Sequence, residues 1–390
     1  MNIGILTFHR PINYGAYLQA YSLSEEIKKL IPSTRVEIVD YVASKENRKI
    51  YTGILRALKY HGVSACVKEI KKIRVFRNSL KILPLSDKKF ICSSNDALFQ
   101  YIDRQYDYLI IGSDAVFNWN QNGFPTAYIP DYDFTHCKVL TYAASVHGMK
   151  YLDADPHKIR ACKSAFEKMA FVGVRDENTE RFVKYCSPNV RPYHCCDPTC
   201  FLSVQDCEEK CDSERIIRKY GAFPRPYLVI MTQNDIISKY IYETFSSQYE
   251  IITLFKKNRY SDRFLYDLTP FEWVYIIGRS KCIITEYFHG TYLGLLQDVP
   301  AIVIDESHYE NEYEGKLKDL MTRRFELPEL YYKSSDINEK NIATEIKGTL
   351  LDAIEGKYKD RISEGIKRER EARIPFEEKL FKLVAEQREM

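Results

Sequence analysis

The sequence predicts an α/β protein of two domains, each built on a parallel β-sheet. Short apolar runs typical of buried strands alternate with longer stretches whose apolar residues recur at helical spacing. A charged, turn-rich stretch, 205–223, separates two such alternating series. The chain has 390 residues, more than one hydrophobic core usually holds. We therefore expect an N-terminal domain over 1–205, a C-terminal domain over 224–335 and C-terminal helices over 336–390.

The first strand-helix-strand unit opens the N-terminal domain. The strands are predicted over 2–7 and 36–40, and the helix between them over 14–30. The loop that joins the first strand to the helix lies at the carboxyl end of the sheet, where parallel sheets bind ligands. Its glycine permits a close approach to the backbone, and its asparagine is suited to cap the helix. The candidate substrate-binding residues of this loop are Asn13, Tyr14 and Gly15.

Residues 44–89 differ in charge from the rest of the N-terminal domain. They contain 13 Lys or Arg and 3 Asp or Glu residues, and aliphatic residues are interleaved with the basic ones. This pattern predicts one or two basic amphipathic helices inserted into the domain. Two interpretations stay open: a solvated helical insertion, or a surface that rests on anionic lipid or binds a lipid diphosphate.

Two later strands of the N-terminal domain are followed by polar residues. The strand predicted over 106–111 is followed by Gly-Ser-Asp, which either binds a ligand at the sheet edge or caps the next helix. The strand over 171–174 is followed by Arg175, whose guanidinium can bind a carboxylate or phosphate with two hydrogen bonds. The alternative for Arg175 is a salt bridge to Asp176 or another nearby acid. The candidate ligand-binding residues after the first of these strands are Ser113 and Asp114.

The C-terminal domain contains the stretch around which the chain is organised. A short apolar strand, predicted over 282–285, turns through Phe-His-Gly-Thr into a helix. The unpaired amides and the dipole of such a helix start favour anions, and His289 at the turn can donate a proton near neutral pH. The alternative is an ordinary turn whose histidine bonds a local carbonyl. The candidate binding residues beside it are Gly290 and Thr291.

Other segments are less informative. Strands are also predicted over 227–231, 250–254 and 301–304, and a polar loop over 306–316. In the C-terminal helices, residues 367–370 mix both charges and predict a solvated surface helix.

Composition excludes several classes of protein. The net charge of +3 does not indicate nucleic-acid binding, and no window is apolar enough to span a membrane. No signal peptide is visible, so the 11 cysteines are expected to be free thiols in a reducing cytoplasm. The cysteines between 195 and 211 lack the paired Cys-x2-Cys spacing of a zinc site, so we predict no metal.

A series of short motifs occurs in order over residues 3–305. The motifs are Gly4-Ile5-Leu6-Thr7-Phe8, Asn13-Tyr14-Gly15-Ala16, Leu18-Gln19-Ala20-Tyr21, Ile38-Val39-Asp40-Tyr41, Gly112-Ser113-Asp114, Tyr142-Ala143-Ala144-Ser145, Val174-Arg175-Asp176, Asp197-Pro198-Thr199 and Phe288-His289-Gly290-Thr291. One of them, Asp197-Pro198-Thr199, is also typical of a turn or helix start with Asp as the cap. Taken together and in this order, the motifs resemble the polysaccharide pyruvyl transferase family.

The resemblance implies two Rossmann-like domains facing across a cleft, the glycosyltransferase-B arrangement. It implies transfer of an enolpyruvyl unit from phosphoenolpyruvate to sugar hydroxyls, usually closing to a cyclic ketal, with no cofactor besides this co-substrate. The family's phosphoenolpyruvate site uses a His and an Arg, here His289 and Arg175, and in some members a Lys, for which Lys316 is the nearest match. The C-terminal domain would hold phosphoenolpyruvate and the N-terminal domain the acceptor. Asp114 is a candidate base by position alone.

The chain departs from the family pattern beside two motifs. Ala115 and Phe117 stand where the family often has Gln and Trp. Glu286 and Tyr287 stand where the family often has a small or acidic pair. These differences bear on the choice of acceptor more than on binding of the donor.

We expect the acceptor to be a saccharide on a lipid diphosphate, which would bring a cytoplasmic protein to the inner face of the membrane. This expectation rests on the basic segment 44–89 and on the family's role in polysaccharide assembly. Two alternatives stay open. One is a sugar-nucleotide-dependent glycosyltransferase of the same fold, with Asp305 and Glu306 as the nearest ribose-binding carboxylates. The other is a non-catalytic saccharide-binding relative.

Overall fold

The structure, a computed structural model, describes residues 1–92, 94–307 and 315–389 and contains two six-stranded parallel sheets within them. Side chains are described for these residues except 44–51, 53–57, 60–61, 92 and 387–389. The strands are β1 (Asn2–Leu6), β2 (Arg35–Ile38), β3 (Tyr41–Ala43), β4 (Phe90–Cys92), β5 (Tyr108–Ile111), β6 (Lys138–Ala144), β7 (Phe171–Val174), β8 (Pro192–His194), β9 (Tyr227–Met231), β10 (Glu250–Leu254), β11 (Arg263–Leu265), β12 (Ile283–Thr285), β13 (Ala301–Asp305) and β14 (Tyr331–Lys333). The helices are α1 (Tyr14–Leu30), α2 (Ser44–Ser79), α3 (Asp96–Gln105), α4 (Trp119–Asn122), α5 (Pro156–Lys168), α6 (Glu177–Cys186), α7 (Val204–Lys210), α8 (Ser213–Tyr220), α9 (Asp235–Phe245), α10 (Pro270–Gly278), α11 (Phe288–Leu295), α12 (Lys316–Asp319), α13 (Ile342–Ile354), α14 (Lys359–Glu371) and α15 (Ile374–Glu389).

The order of strands defines where each sheet can bind a ligand. The first sheet has the order β2-β1-β5-β6-β7-β8, and the second has the order β11-β10-β9-β12-β13-β14. The chain reverses its direction of travel across the sheet between β1 and β5 in the first and between β9 and β12 in the second. Open α/β sheets bind ligands at such switch points, beyond the carboxyl ends of the strands. Strands β3 and β4 form a separate parallel pair.

The strands at these switch points are apolar because both of their faces are covered. Leu109, Ile110 and Ile111 of β5 have no exposed surface, and neither do Ile283 and Ile284 of β12. Burial on both faces is the usual condition of parallel sheets, and it explains why these strands read as continuous apolar runs.

The structure agrees with the predicted α/β class and departs from the prediction in several segments. Five strands are absent from the prediction: β3, β4, β8, β11 and β14. The stretch 205–223, expected to consist of turns, contains α7 and α8, so that expectation is wrong. The polar loop predicted over 306–316 falls, for residues 308–314, outside the described residues.

The C-terminal helix α15 packs against the first sheet. Phe376 of α15 packs against Tyr142 and Phe171, with ring centroids 4.6 and 5.7 Å apart. Tyr108 of β5 donates a hydrogen bond to the carbonyl of Leu383 at 2.8 Å. The last helix therefore covers a sheet built from the opposite end of the chain.

The prediction of a solvated surface helix at 367–370 is wrong for one residue. Glu369 is 2% exposed and accepts hydrogen bonds from Tyr292 Oη at 2.6 Å and from Arg324 Nε at 2.7 Å. A buried carboxylate needs such partners, and here they lie on α11 and on the turn after α12. The charged pattern therefore conceals an ion pair that fixes α14 to the second sheet's helices.

Helix α2 carries the basic segment, and its described part has two different faces. Phe76 is buried and packs against Tyr14 and Tyr17 of α1. Val63, Val67 and Ile70 are exposed. The helix is kinked at Gly62, which has φ of 78°. No helix among the described residues has the length and apolar character needed to cross a bilayer.

Candidate active site

A cavity of about 580 Å³ is lined by residues of both halves of the chain. The lining residues from the first half of the chain include the loop before α1, Asp114 after β5 and His147 after β6. The lining residues from the second half include those that follow β10, β12 and β13. These are the carboxyl ends of strands at both switch points, so the topology places the cavity where parallel sheets bind ligands.

Five titratable side chains form a continuous series of contacts at one end of this cavity, and we call them the inner cluster. Arg175 donates from Nη1 to Asp197 Oδ2 and from Nη2 to Asp114 Oδ1, both at 3.0 Å. Lys316 Nζ lies 3.3 Å from the same Asp114 oxygen. His289 Nε2 lies 3.6 Å from Asp197 Oδ2. Two carboxylates from the first half of the chain thus face a lysine and a histidine from the second half.

Local structure holds the two carboxylates in place. Asp197 caps a short 3-10 turn, where Oδ1 accepts from the amide and hydroxyl of Thr199 at 3.1 and 2.7 Å. Its Oδ2 accepts from Gln19 at 2.5 Å as well as from Arg175. Asp114 has φ of 71° and ψ of −163°, a region that residues other than glycine rarely adopt. Such a backbone persists only where surrounding contacts fix it, which is the situation at a functional site.

Burial and neighbouring charges act differently on Asp114 and Lys316 of the inner cluster. Burial raises the pKa of Asp114, but Lys316 and Arg175 outweigh it and hold that pKa well below its usual value. Burial lowers the pKa of Lys316, and Asp114 opposes this only in part. A carboxylate with so low a pKa accepts protons poorly, so Asp114 is badly suited to act as a base at neutral pH.

A second histidine shares the cavity. Burial, with a further contribution from Lys316, lowers the pKa of His147 to about 4. Its imidazole is therefore neutral at physiological pH. His147 has φ of 49°, in the left-handed region that histidine tolerates better than most side chains.

The family of the chain follows from a comparison with known proteins. The family model described as polysaccharide pyruvyl transferase matches residues 13–308. The chain belongs to the polysaccharide pyruvyl transferase family. The match includes every member of the inner cluster except Lys316. The comparison with curated proteins gave no match.

Solved structures place this pyruvyl transferase family member in the glycosyltransferase-B fold. The chain is similar to UDP-GlcNAc 2-epimerase from Neisseria meningitidis, with a TM-score of 0.57 and 10% identity over 98% of this chain and 100% of that one. A second similar structure is a putative UDP-N-acetylglucosamine 2-epimerase from Listeria monocytogenes, with a TM-score of 0.55 and 9% identity over 92% and 90%. Identity this low shows the fold alone. The predicted arrangement of two Rossmann-like domains facing across a cleft is confirmed.

Several residues predicted from the sequence of this family member line the cavity. Asn13 caps α1 by accepting from the amide of Ala16 at 3.2 Å. Tyr14 donates its hydroxyl to the carbonyl of Leu268. A Cβ added to Gly15 would lie 2.0 Å from Nδ1 of His289. The predicted residues that line the cavity are Asn13, Tyr14, Gly15, Asp114, His289 and Lys316.

Four of the predicted residues do not line the cavity: Ser113, Arg175, Gly290 and Thr291. Arg175 has no exposed surface and lies behind its two carboxylates, with its guanidinium 4.7 Å from the centre of the Phe288 ring. The salt bridge considered for Arg175 is present, although its partners are Asp114 and Asp197 and not Asp176. Ser113 is 1% exposed and also lies outside the lining.

Gly290, a predicted binding residue, packs closely against the second sheet. The position of its missing Cβ lies 2.2 Å from Met231 Cε and 2.9 Å from Thr285 Oγ1. Glycine is required here so that α11 can pack against the sheet. The Thr291 hydroxyl likewise turns inward, because it donates to the carbonyl of Tyr287 at 3.1 Å and has no exposed surface.

Sequence reasoning missed other parts of the site. The capping pattern at Asp197 was visible, but its contacts with Arg175 and His289 were not. A buried glutamine on the apolar face of α1, Gln19, was a signal for a buried polar contact. Lys72 of the basic segment and the aromatic residues Phe255 and Trp273 also line the cavity. Among the side chains that the structure describes, no group of three or more His, Cys, Asp or Glu residues is arranged to hold a metal ion.

Proposed function

We propose that the protein transfers the pyruvyl group of phosphoenolpyruvate to hydroxyls of a saccharide and releases phosphate. The observation that carries this proposal is the inner cluster, in which His289 and Lys316 face one cavity in front of a buried Arg175. Phosphoenolpyruvate has a carboxylate and a phosphate, so it needs cationic and hydrogen-bonding partners that are fixed before it binds. The family membership of the chain supports the same reaction class.

The charges of the inner cluster suggest how the donor is held. Arg175 and Lys316 are balanced by Asp114 and Asp197. We infer that an anion binds when Lys316 exchanges Asp114 for a donor oxygen and His289 forms a hydrogen bond to the same ligand. Arg175 stays behind the site, where it keeps both carboxylates ionised and in place. We assign no further cofactor and no metal to the reaction.

The bonds of the proposed reaction balance without another reactant. A sugar oxygen attacks C2 of phosphoenolpyruvate while C3 gains a proton, which converts the methylene into a methyl group. The bond from C2 to the phosphate oxygen then breaks, and a second sugar hydroxyl attacks C2 to close the ketal. One hydroxyl proton ends on C3 and the other on phosphate. His289 is the proposed proton donor, and fixed positive charge beside the phosphate stabilises its departure.

The test is release of phosphate from phosphoenolpyruvate in the presence of galactose- and mannose-type acceptors. We expect acceptor-dependent release by the wild-type protein and its loss in His289→Ala and Arg175→Ala. His157→Ala, at an exposed histidine of α5, is the matched control and should release phosphate normally. Thermal stabilisation by a nucleotide sugar, with no phosphate release from any acceptor, would overturn the proposal and favour a glycosyltransferase.

The structure offers little support for that glycosyltransferase. Asp305 was the nearest candidate to hold a donor ribose, but its Oδ1 accepts from the Ser307 amide at 2.8 Å and its Oδ2 from the Tyr331 hydroxyl at 2.6 Å. Its carboxylate is therefore engaged within the protein. Glu306 is exposed at the cavity edge beside further acidic groups.

We also propose that the acceptor is carried on a lipid and that α2 rests on the membrane surface. On the exposed face of α2, the apolar residues Val63, Val67 and Ile70 are followed by the exposed Lys71 and Arg74. This order suits a helix lying in the interface of an anionic bilayer. Lys72 of the same helix lines the cavity, so α2 would connect the membrane surface with the site.

Sedimentation with vesicles tests the membrane contact. We expect binding to vesicles rich in phosphatidylglycerol, weaker binding to phosphatidylcholine, and loss of binding in Lys71→Glu with Arg74→Glu. The control, Arg160→Glu with Lys163→Glu on α5, changes the net charge equally at another exposed surface. Equal binding by the two double variants would refute a specific contact through α2.

A further inference from the structure

A second cavity of about 480 Å³ adjoins the first on the side of the second sheet, and we call it the outer lobe. It is lined by residues that follow β9, β12 and β13, which are neighbours in the sheet, and by Lys256 after β10. Lys256, Glu286 and Glu306 line both cavities. The two cavities therefore form one groove that extends outward from the inner cluster.

The side chains of the outer lobe favour an uncharged, hydroxyl-rich ligand. They include three carboxylates, two amides and one lysine, of which the Asn234 amide and one oxygen of Glu286 are already hydrogen-bonded within the protein. Carboxylates accept hydrogen bonds from hydroxyls, and amides both donate and accept them. An anionic ligand such as a nucleoside diphosphate would meet an excess of negative charge. The charged or amide residues of the lobe are Gln233, Asn234, Asp235, Lys256, Glu286 and Glu306.

The junction between the two cavities is held in a fixed arrangement. Glu286 Oε2 accepts from Thr232 Oγ1 at 3.2 Å and from the amide of Gln233 at 3.1 Å. Asn234 caps α9 and donates to Ser334 at 2.9 Å. Groups that are fixed before binding lose little conformational entropy when a ligand arrives.

Aromatic rings lie along the groove between the inner cluster and the outer lobe. Phe255 and Trp273 pack with ring centroids 5.3 Å apart, and Tyr287 is a third aromatic residue of the lining. Trp273 is 2% exposed, and its indole Nε1 has no hydrogen-bond partner among the described residues. Aromatic faces beside carboxylates and amides suit the mixed apolar and hydroxyl surface of a sugar.

We propose that the outer lobe binds a second sugar unit of the acceptor, so that the protein selects an oligosaccharide over a monosaccharide. This inference rests on the proposed function. The unit that receives the pyruvyl group lies over the aromatic residues and next to His289. The neighbouring unit of the acceptor lies in the outer lobe, between Gln233, Glu286 and Glu306. In this proposal the C-terminal domain therefore contacts part of the acceptor as well as the donor, which differs from the division of the two ligands between the domains that the resemblance implies.

The first experiment compares acceptors by length. Phosphate release is measured with mannose, mannobiose and mannotriose and with the matching galactose series. We expect kcat/KM to be at least about tenfold higher for the disaccharide than for the monosaccharide, the value of one additional hydrogen-bonded contact. Gln233→Ala and Glu306→Gln should each lower this ratio severalfold. Glu243→Gln, at an exposed residue of α9 outside both linings, should preserve it.

A binding experiment without phosphoenolpyruvate separates this inference from the proposed function. The chain has 2 tryptophans, so Trp119→Phe leaves the fluorescence of Trp273 to report on the groove. We expect the disaccharides of one series to quench this fluorescence at lower concentration than the monosaccharides, and Gln233→Ala to remove the difference. Length-dependent binding without phosphate release would refute only the reaction. Release or binding without length dependence, or no binding by any saccharide, would overturn the second-sugar site.

Discussion

The inner cluster and the outer lobe belong to one groove but differ in how their charges are held. In the inner cluster, Arg175 and Asp197 have no exposed surface, and each charged group contacts one of opposite sign. In the outer lobe, Gln233 and Glu306 are exposed to solvent. Buried ion pairs are costly to break, whereas exposed ones contribute little to stability. The inner cluster can therefore fix the geometry of a reaction, and the outer lobe can vary to suit an acceptor.

The largest effect that would test this contrast is expected for Arg175→Met. It leaves Asp114 and Asp197 buried without their shared cation, which should lower the free energy of unfolding by about 3–5 kcal/mol. Urea unfolding followed by circular dichroism measures the change. Arg218→Met, at an arginine 64% exposed and paired with Glu214, should cost less than about 1 kcal/mol. Equal losses in the two variants would contradict the structural importance of the inner cluster.

A smaller loss of stability and a large loss of activity are expected for Gly15→Ala. The new methyl group overlaps the imidazole of His289, which must shift by an ångström or more. Displacement of a catalytic group by about 1 Å can reduce turnover about 100-fold. Phosphate release measures the effect. Gly348→Ala, in the middle of α13 with open space around it, is the control and should stabilise the protein slightly.

A change in pH dependence is expected for Lys316→Arg. Burial lowers the pKa of Lys316, so the positive charge is present below that pKa and is lost at a lower pH than for a free lysine. Donor binding should therefore weaken as pH rises through this region. Arginine keeps its charge, so the alkaline limb of kcat/KM for phosphoenolpyruvate should move to higher pH. An unchanged limb would show that another group titrates there.

The smallest effect on stability is expected for Glu306→Gln in the outer lobe. This side chain is exposed, so its replacement should change the free energy of unfolding by less than about 0.5 kcal/mol. The same urea titration used for Arg175→Met measures it. A loss above about 2 kcal/mol would mean that the outer lobe is as rigidly built as the inner cluster.

The sequence located buried strands well and edge strands poorly. The predicted bounds 227–231 and 250–254 match β9 and β10, which lie inside the second sheet. Three of the four edge strands, β8, β11 and β14, were missed and are each three residues long, whereas the longer edge strand β2 was predicted. The separate pair β3 and β4, also three residues each, was missed as well. Edge strands are covered on fewer sides, so they carry Pro, Arg and Lys and lack a continuous apolar run.

The residues of the candidate site were likewise predicted only in part from the sequence. His289 was identified from a local strand-turn-helix pattern and a family motif, whereas Lys316, outside every motif, was only the nearest match to a lysine of the family. The contacts of Asp197 were hidden because its partners Gln19, Arg175 and His289 are distant along the chain. A capping pattern explains one oxygen of this carboxylate and says nothing about the other. The close packing at Gly290 and the direction of the Thr291 side chain likewise depend on how α11 packs against the sheet.

The position of α15 has a consequence for the order in which the protein forms on the ribosome. The first sheet is complete at His194, but the helix that covers it begins only at Ile374. Until that helix emerges, Tyr142 and Phe171 lack their contacts with Phe376. The first half of the chain therefore cannot finish folding during its own synthesis. Its apolar surface stays exposed until the second half has been made, and a chain interrupted before α15 should aggregate or be degraded.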